Sequence, residues 1–427
     1  MPGIGFAGMT HLGLVSAAAC ASKGFNTRCY DPDAELIERL KRGEWESVLH
    51  EPGFAELITS AHEFVSFTSD VRDLDKCDLV YISRDTDIDD EGRADTSGVG
   101  AIARAVAPYL ARSAPLIILS QVPPGFTRGL ARTLGLFPSR VYCQVETLVF
   151  GNAVERACNP ERLIIGCAHP GDEIKGAFGR VLAAFDCPVM RMGYESAELA
   201  KIAINVHLAA SITATNVLAE IASSCGADWG EIAPALRLDR RIGPHAYLRP
   251  GLGIGGGHLA RDLVTLVGLA DNNAVEADVI GAMLRDSAYR RDWPLSVLHA
   301  EVTLSDSVIG ILGVTYKENT RSIRDSPSVE LIRQLGEREA HVRVFDPVRE
   351  APAQLNLVNV EDMESVARGA DALVIMTPWM EFRTLDVERC AREMRGSLII
   401  DPFGVLNHER CHDAGLRHFV LGRPEDE

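Results

Sequence analysis

Short apolar runs alternate with amphipathic segments twice along this chain, and no other feature constrains its fold so tightly. In the N-terminal part the runs are Ile4–Ala7, Thr27–Tyr30, Leu79–Ser83, Leu116–Leu119 and Val141–Val145. In the C-terminal part they are Val308–Gly313, His341–Phe345, Ala372–Met376 and Ser397–Ile400. Such alternation predicts parallel sheets covered by helical crossovers, so the expected class is α/β with two doubly wound domains. Each half also ends a strand on an acidic turn, Tyr30-Asp31-Pro32 and Phe345-Asp346-Pro347, which hints at a duplicated architecture.

Between the halves the pattern changes. From Ser196 to Cys225 the chain is alanine-rich, without Gly or Pro, and predicts one continuous helix capped by Ser196 and closed by Gly226. At about 30 residues it is long enough to bridge two domains and to pair with a copy of itself. The expected organisation is 1–195, 196–300 with a glycine-rich loop at Arg249–His258, and 301–427.

The formal charge of −17 is spread along the chain without a basic stripe, which argues against a nucleic-acid partner. An anionic ligand must then be held by a few local cations, helix N-termini or glycine-rich backbone. Apolar runs such as Pro115–Ser120 and Ala372–Thr377 fall well short of the roughly 20 residues of a membrane span, and no signal-peptide pattern opens the chain. A cytoplasmic protein without a membrane partner is expected. The ten cysteines form no C-x-x-C pair, so no metal site is expected and the thiols read as reduced.

The first strand leads into Gly8-Met-Thr-His-Leu-Gly13, a dinucleotide fingerprint with Gly8 and Gly13 as first and third glycines and Thr10 in place of the second. Asp31 follows at the end of the second strand, where a carboxylate accepts from a ribose 2′-hydroxyl and repels a 2′-phosphate. NAD is therefore favoured over NADP.

Further segments, in order and spacing, resemble the UDP-glucose/GDP-mannose dehydrogenase family over nearly the whole chain. They are Asp78-Leu-Val-Tyr-Ile-Ser with Thr86 and Gly92-Arg-Ala-Asp95, Ser120-Gln-Val-Pro-Pro-Gly125, Gln144-Val-Glu146-Thr-Leu, and Asn159-Pro-Glu-Arg-Leu-Ile-Ile-Gly166. Next come Glu198-Leu-Ala-Lys201-Ile-Ala-Ile-Asn205, Asp239-Arg-Arg-Ile-Gly243 and Tyr247-Leu-Arg-Pro-Gly-Leu-Gly-Ile-Gly-Gly-Gly-His258-Leu-Ala-Arg-Asp262. The C-terminal part adds Gly310-Ile-Leu-Gly-Val-Thr-Tyr-Lys317-Glu-Asn-Thr320, Ile323-Arg324-Asp-Ser-Pro327 and Thr377-Pro-Trp379. The resemblance implies two Rossmann-like doubly wound domains joined by a long central helix in an α-helical dimerisation domain, a homodimer, bound NAD and a nucleotide-sugar substrate, a UDP-sugar before others.

By that resemblance Gly8, Thr10, Gly13, Asp31, Thr86 and Ser120 face the cofactor. Arg241, Tyr247, Gly253, Gly255, Gly256, Lys317 and Arg324 face the nucleotide sugar, Arg324 from a neighbouring subunit in many members. Glu146 becomes an acid/base participant, and Lys201 with Asn205, spaced i,i+4 on one helix face, becomes an oxyanion site. The sequence departs from the pattern at Asp85 and Asp87, where the family has prolines, at Arg261 where it has lysine, and at Asp401-Pro-Phe-Gly, where an arginine is missing.

The departure with the largest consequence is His258, at the position of the family's catalytic cysteine. Imidazole does not replace a thiolate in the thioester step of a four-electron oxidation. The expected reaction is therefore a two-electron alcohol oxidation with His258 as base and Asp262 orienting it or a water. The other readings are a redox-neutral NAD-dependent epimerase, the ordinary acid-forming dehydrogenase, and a catalytically silent ligand-binding protein.

Overall fold

The computed structural model describes residues 1–424 apart from 90, 91, 172, 353 and 356 and the side chain of His258. Two units divide the chain, Met1–Ile204 and Asn205–Glu427.

The first unit is built on a sheet of β1 (Ile4–Ala7), β2 (Thr27–Tyr30), β3 (Val65–Thr68), β4 (Leu79–Ile82), β5 (Leu116–Ile118), β6 (Val141–Gln144), β7 (Leu163–Cys167) and β8 (Val189–Gly193). The spatial order is β3-β2-β1-β4-β5-β6-β7-β8. Strands β1 to β6 are parallel, β7 runs antiparallel to β6, and β8 is parallel to β7. Order reverses between β1 and β4, so a crevice opens beyond their carboxyl ends, the usual ligand position in such sheets. Helices cover both faces. Phe6, Leu12, Val15, Phe54 and Phe178 fill one layer, and Val80, Ile82, Ile102 and Val106 the other.

The second unit carries a wholly parallel sheet of β9 (Val308–Leu312), β10 (His341–Phe345), β11 (Leu357–Asn359), β12 (Ala372–Ile375), β13 (Leu398–Ile400) and β14 (Arg417–Phe419), ordered β11-β10-β9-β12-β13-β14. The duplication hinted at by the two acidic turns extends to individual hydrogen bonds. Gly8 N–H donates to Tyr30 O and Gly313 N–H to Phe345 O, while Asp31 accepts from Met9 N–H and Asp346 from Val314 N–H. Asp78 accepts from Gly3 N–H as Asp371 does from Val308 N–H.

The long helix spans Tyr194–Ser224, 31 residues. It starts two residues before the expected cap, so Ser196 lies inside it. Tyr194, completely buried, fixes the first turn by donating its hydroxyl to Pro138 O and Val141 O. At the other end Gly226, at φ +80°, turns the chain, and Ala227 N–H returns to Ala222 O at 2.8 Å. Length and composition alone would let this helix cross a membrane. Its Glu198, Asn205, Thr215 and Asn216 are nevertheless buried, each hydrogen-bonded within the chain, as in a scaffold helix.

Candidate active site

The cofactor cleft of the first unit begins at the β1 turn. Gly8 has φ +104°, and a Cβ there would lie 2.7 Å from Arg84 N. A Cβ on Gly13 would sit 1.9 Å from Gly8 O, so the helix His11–Ser22 packs against the turn only with glycine at that position. Thr10 does not cap this helix with its side chain. Instead its Oγ1 accepts from Asp85 N–H at 2.8 Å and donates to Ser83 O at 3.4 Å, latching the β1 turn to the loop after β4.

Asp31 is buried, with Oδ2 accepting from Met9 N–H at 2.7 Å and Oδ1 from Asp33 N–H at 3.0 Å. Each oxygen keeps a lone pair for a ribose hydroxyl. An N-terminus uncapped by Thr10, a glycine turn that a Cβ would fill, and a carboxylate at the end of β2 together fit a dinucleotide without a 2′-phosphate. The one element that fits poorly is Asp85, whose Oδ2 lies 3.5 Å from Leu12 N–H at the same helix end.

Thr86 and Ser120 interlock the loops beyond β4 and β5. Thr86 Oγ1 donates to Gln121 O, and Ser120 Oγ donates to Arg84 O at 2.6 Å. Both hydroxyls are buried and spend their protons on backbone. Their first task is therefore to hold the crevice wall in shape.

Just past β6, Glu146 meets Lys201 of the long helix at 2.8 Å, the two side chains being 15% and 13% exposed. Glu146 Oε2 also accepts from Leu148 N–H at 2.9 Å, which fixes the carboxylate. Ser120 and Cys143 line the same small cavity as this pair. Cys143 is buried, and burial pushes its thiol far above the ordinary range, so it does not supply a thiolate there.

In the second unit Asn205 Nδ2 donates to Asp262 Oδ2 at 2.5 Å, and Arg261 Nε donates to Asp262 Oδ1 at 3.2 Å. All three are buried. One amide proton of Asn205 is thus committed to Asp262 and the second remains for another acceptor. His258 begins the helix His258–Asn272 that carries Arg261 and Asp262; its side chain lies outside the described residues.

The preceding glycine loop is gripped from below. Asn216 Oδ1 accepts from Gly251 N–H at 2.9 Å, Ser287 Oγ accepts from Ile254 N–H at 2.7 Å, and Ser211 and Thr215 donate to Tyr247 O. A Cβ on Gly253 would meet Ser287 O at 2.6 Å, and one on Gly256 would meet the Tyr316 ring at 2.4 Å. Gly255 lies on the same ring, 3.3 Å by that measure.

Asn216, Ser287 and Tyr316 were not among the residues expected from sequence. Tyr316 stands beside Lys317 in the Gly310–Thr320 motif, where the sequence marks the cation and gives no sign of the ring packing on the glycines. Lys317 lies over the Tyr316 ring, 5.7 Å from its centre. Arg241 is different: it is exposed and forms a bidentate pair with Asp239 on its own turn. The Tyr247 side chain and Arg324 are also exposed.

A doubly wound cleft shaped for NAD, with an ammonium–carboxylate pair just past one of its strands, defines a dinucleotide-dependent oxidoreductase. Family profiles match in three consecutive blocks: the NAD binding domain of the UDP-glucose/GDP-mannose dehydrogenase family at residues 3–180, its central domain at 195–286 and its UDP binding domain at 310–408. The protein is 30% identical over 433 residues to the putative UDP-glucose 6-dehydrogenase YtcA of Bacillus subtilis, covering 98% of this chain and 99% of that one. It is 29% identical over 441 residues to UDP-glucose 6-dehydrogenase TuaD of the same organism, with coverage of 99% and 94%. Among solved structures, a UDP-glucose dehydrogenase from Pyrobaculum islandicum superposes with a TM-score of 0.89 at 29% identity, covering 99% and 98% of the two chains. The chain belongs to the UDP-glucose/GDP-mannose dehydrogenase family, and NAD is its cofactor.

Proposed function

We propose that the protein oxidises one alcohol of a UDP-sugar by two electrons and stops at the carbonyl. The observation that carries the chemistry is the nearly buried Lys201–Glu146 pair beside the cofactor cleft. Bound NAD supplies the hydride acceptor. Lys201 keeps N–H donors beyond the one spent on Glu146, and Asn205 keeps one amide proton, so both stabilise negative charge growing on the substrate oxygen. They lie four residues apart on one helix and so share a face. His258, by its place in the glycine-loop motif, takes the hydroxyl proton, and Asp262, held by Asn205 and Arg261, orients it. By the resemblance of the glycine-loop motif, His258 stands at the position of the family's cysteine. The absence of cysteine from the glycine loop and the burial of Cys143 both support loss of the thioester step.

Lys317 and Arg324 are the proposed cations for the diphosphate, Gly253, Gly255 and Gly256 its backbone donors, and Tyr247 and Arg241 sugar-side contacts. Residues 1–195, 196–300 and 301–427 are the proposed functional domains. The test is mass spectrometry of products formed with NAD and a panel of UDP-, GDP- and dTDP-sugars. A UDP-sugar lighter by two hydrogens is expected; a uronic acid, or an isomer of unchanged mass, would overturn the proposal.

A homodimer is part of the same reading. Leu218 and Ile221 of the long helix are 48% and 53% exposed, and Ala214 and Cys225 continue the stripe at helical spacing. Light scattering should give a dimer for the unaltered protein and a monomer for the double variant Leu218→Asp, Ile221→Asp. A monomer from the unaltered protein would refute it.

A further inference from the structure

Nothing in a dinucleotide fingerprint calls for an acid at position 85, yet the Asp85 carboxylate lies at the N-terminus of the helix His11–Ser22. Its Oδ2 approaches Leu12 N–H at 3.5 Å, and its own N–H is tied to Thr10 Oγ1 at 2.8 Å, so the loop holds it there. The same helix end, with its unspent N–H groups and positive dipole, is where the pyrophosphate of a dinucleotide docks in this fold. Two anions thus compete for one set of donors. We propose that Asp85 sets the affinity for the cofactor, the dinucleotide binding with Asp85 protonated so that one proton is taken up from solvent.

The charged groups around Asp85 leave little to neutralise a second anion. From the helix it faces His11, whose Nε2 is already 2.9 Å from the buried Glu51. From the segment after β6 it faces Glu146, itself paired with Lys201. On its own loop Arg84 pairs with Asp87 at 3.2 Å. Burial raises the Asp85 carboxyl from its ordinary value and Glu146 adds to the rise, while His11, the Thr10 hydroxyl and the Leu12 N–H oppose it. A diphosphate at the N-terminus of the helix His11–Ser22 raises it further, because a like charge disfavours the ionised form. Binding is therefore tightest at low pH and weakens as pH rises through the value Asp85 has in the free protein.

The inference rests on the cofactor occupying this cleft. It is tested by calorimetric titration of the full-length protein with NAD from mildly acidic to mildly alkaline pH, in buffers of different ionisation enthalpy. Uptake approaching one proton per NAD is expected, with affinity falling by up to about tenfold per pH unit. Asp85→Asn, of the same shape, should bind NAD about tenfold or more tightly at alkaline pH and lose the dependence. Absence of proton uptake, or a variant that titrates like the unaltered protein, would overturn the proposal while leaving the cofactor site intact. No binding by either protein at any pH would overturn the site as well.

Discussion

Replacing Lys201 by methionine is expected to lower kcat by about 10² to 10³-fold, the loss found when a preorganised donor to a developing oxyanion is removed. Lys201 is nearly buried against Glu146 at 2.8 Å, so the same change takes the cation from that carboxylate. Breaking one side of a buried pair costs about 3–5 kcal/mol, and the single variant should therefore melt earlier as well. The two effects separate in the double variant Lys201→Met, Glu146→Gln. With both charges of the pair removed, most of the stability returns, while turnover stays low because the ammonium is still missing. Steady-state kinetics and urea denaturation of the three proteins check this. Recovery of both activity and stability in the double variant would mean that the pair is structural.

Gly13→Ala should be among the most damaging single changes to stability. The added Cβ would lie 1.9 Å from Gly8 O and 2.9 Å from Ser83 Oγ. Neither can retreat easily: Gly8 is held by its N–H to Tyr30 O at 2.9 Å, and Ser83 Oγ donates to both Gly8 O and Ala7 O. The helix His11–Ser22 must lift off β1, and with it Leu12, Leu14 and Val15 leave the core. A loss above about 4 kcal/mol is expected, at the upper end of what one substitution does. Urea unfolding followed by circular dichroism measures it, and a midpoint close to that of the unaltered protein would contradict the packing described.

How much of this was legible in the sequence depended on whether a signal was local. Strands buried on both faces, such as Ile4–Ala7 and Ala372–Ile375, announce themselves as apolar runs because helices cover them. The edge strands Val65–Thr68 and Val189–Gly193 are half exposed and lack such runs, so they went unread. Leu163–Cys167 is fully buried, but its residues overlap the Asn159–Gly166 motif, which masks the strand signal. Gly8 and Asp31 were readable because turn and ribose chemistry fix their spacing. What could not be read is who holds whom across long separations: Asn216 to Gly251, Ser287 to Ile254, and Tyr316 to Gly256. Thr10 is the instructive intermediate. Its misfit to the glycine pattern was visible, but not its partner in the loop after β4.

One oxidation rather than two is tested most directly by counting reduced cofactor against substrate. With excess NAD and a limiting amount of the UDP-sugar selected from the panel, NADH absorbance at completion should equal one NADH per sugar, with no carboxylate in the product. Two NADH per sugar with release of a uronic acid would show that the second oxidation proceeds without a cysteine in the glycine loop, and the account of His258 would be wrong.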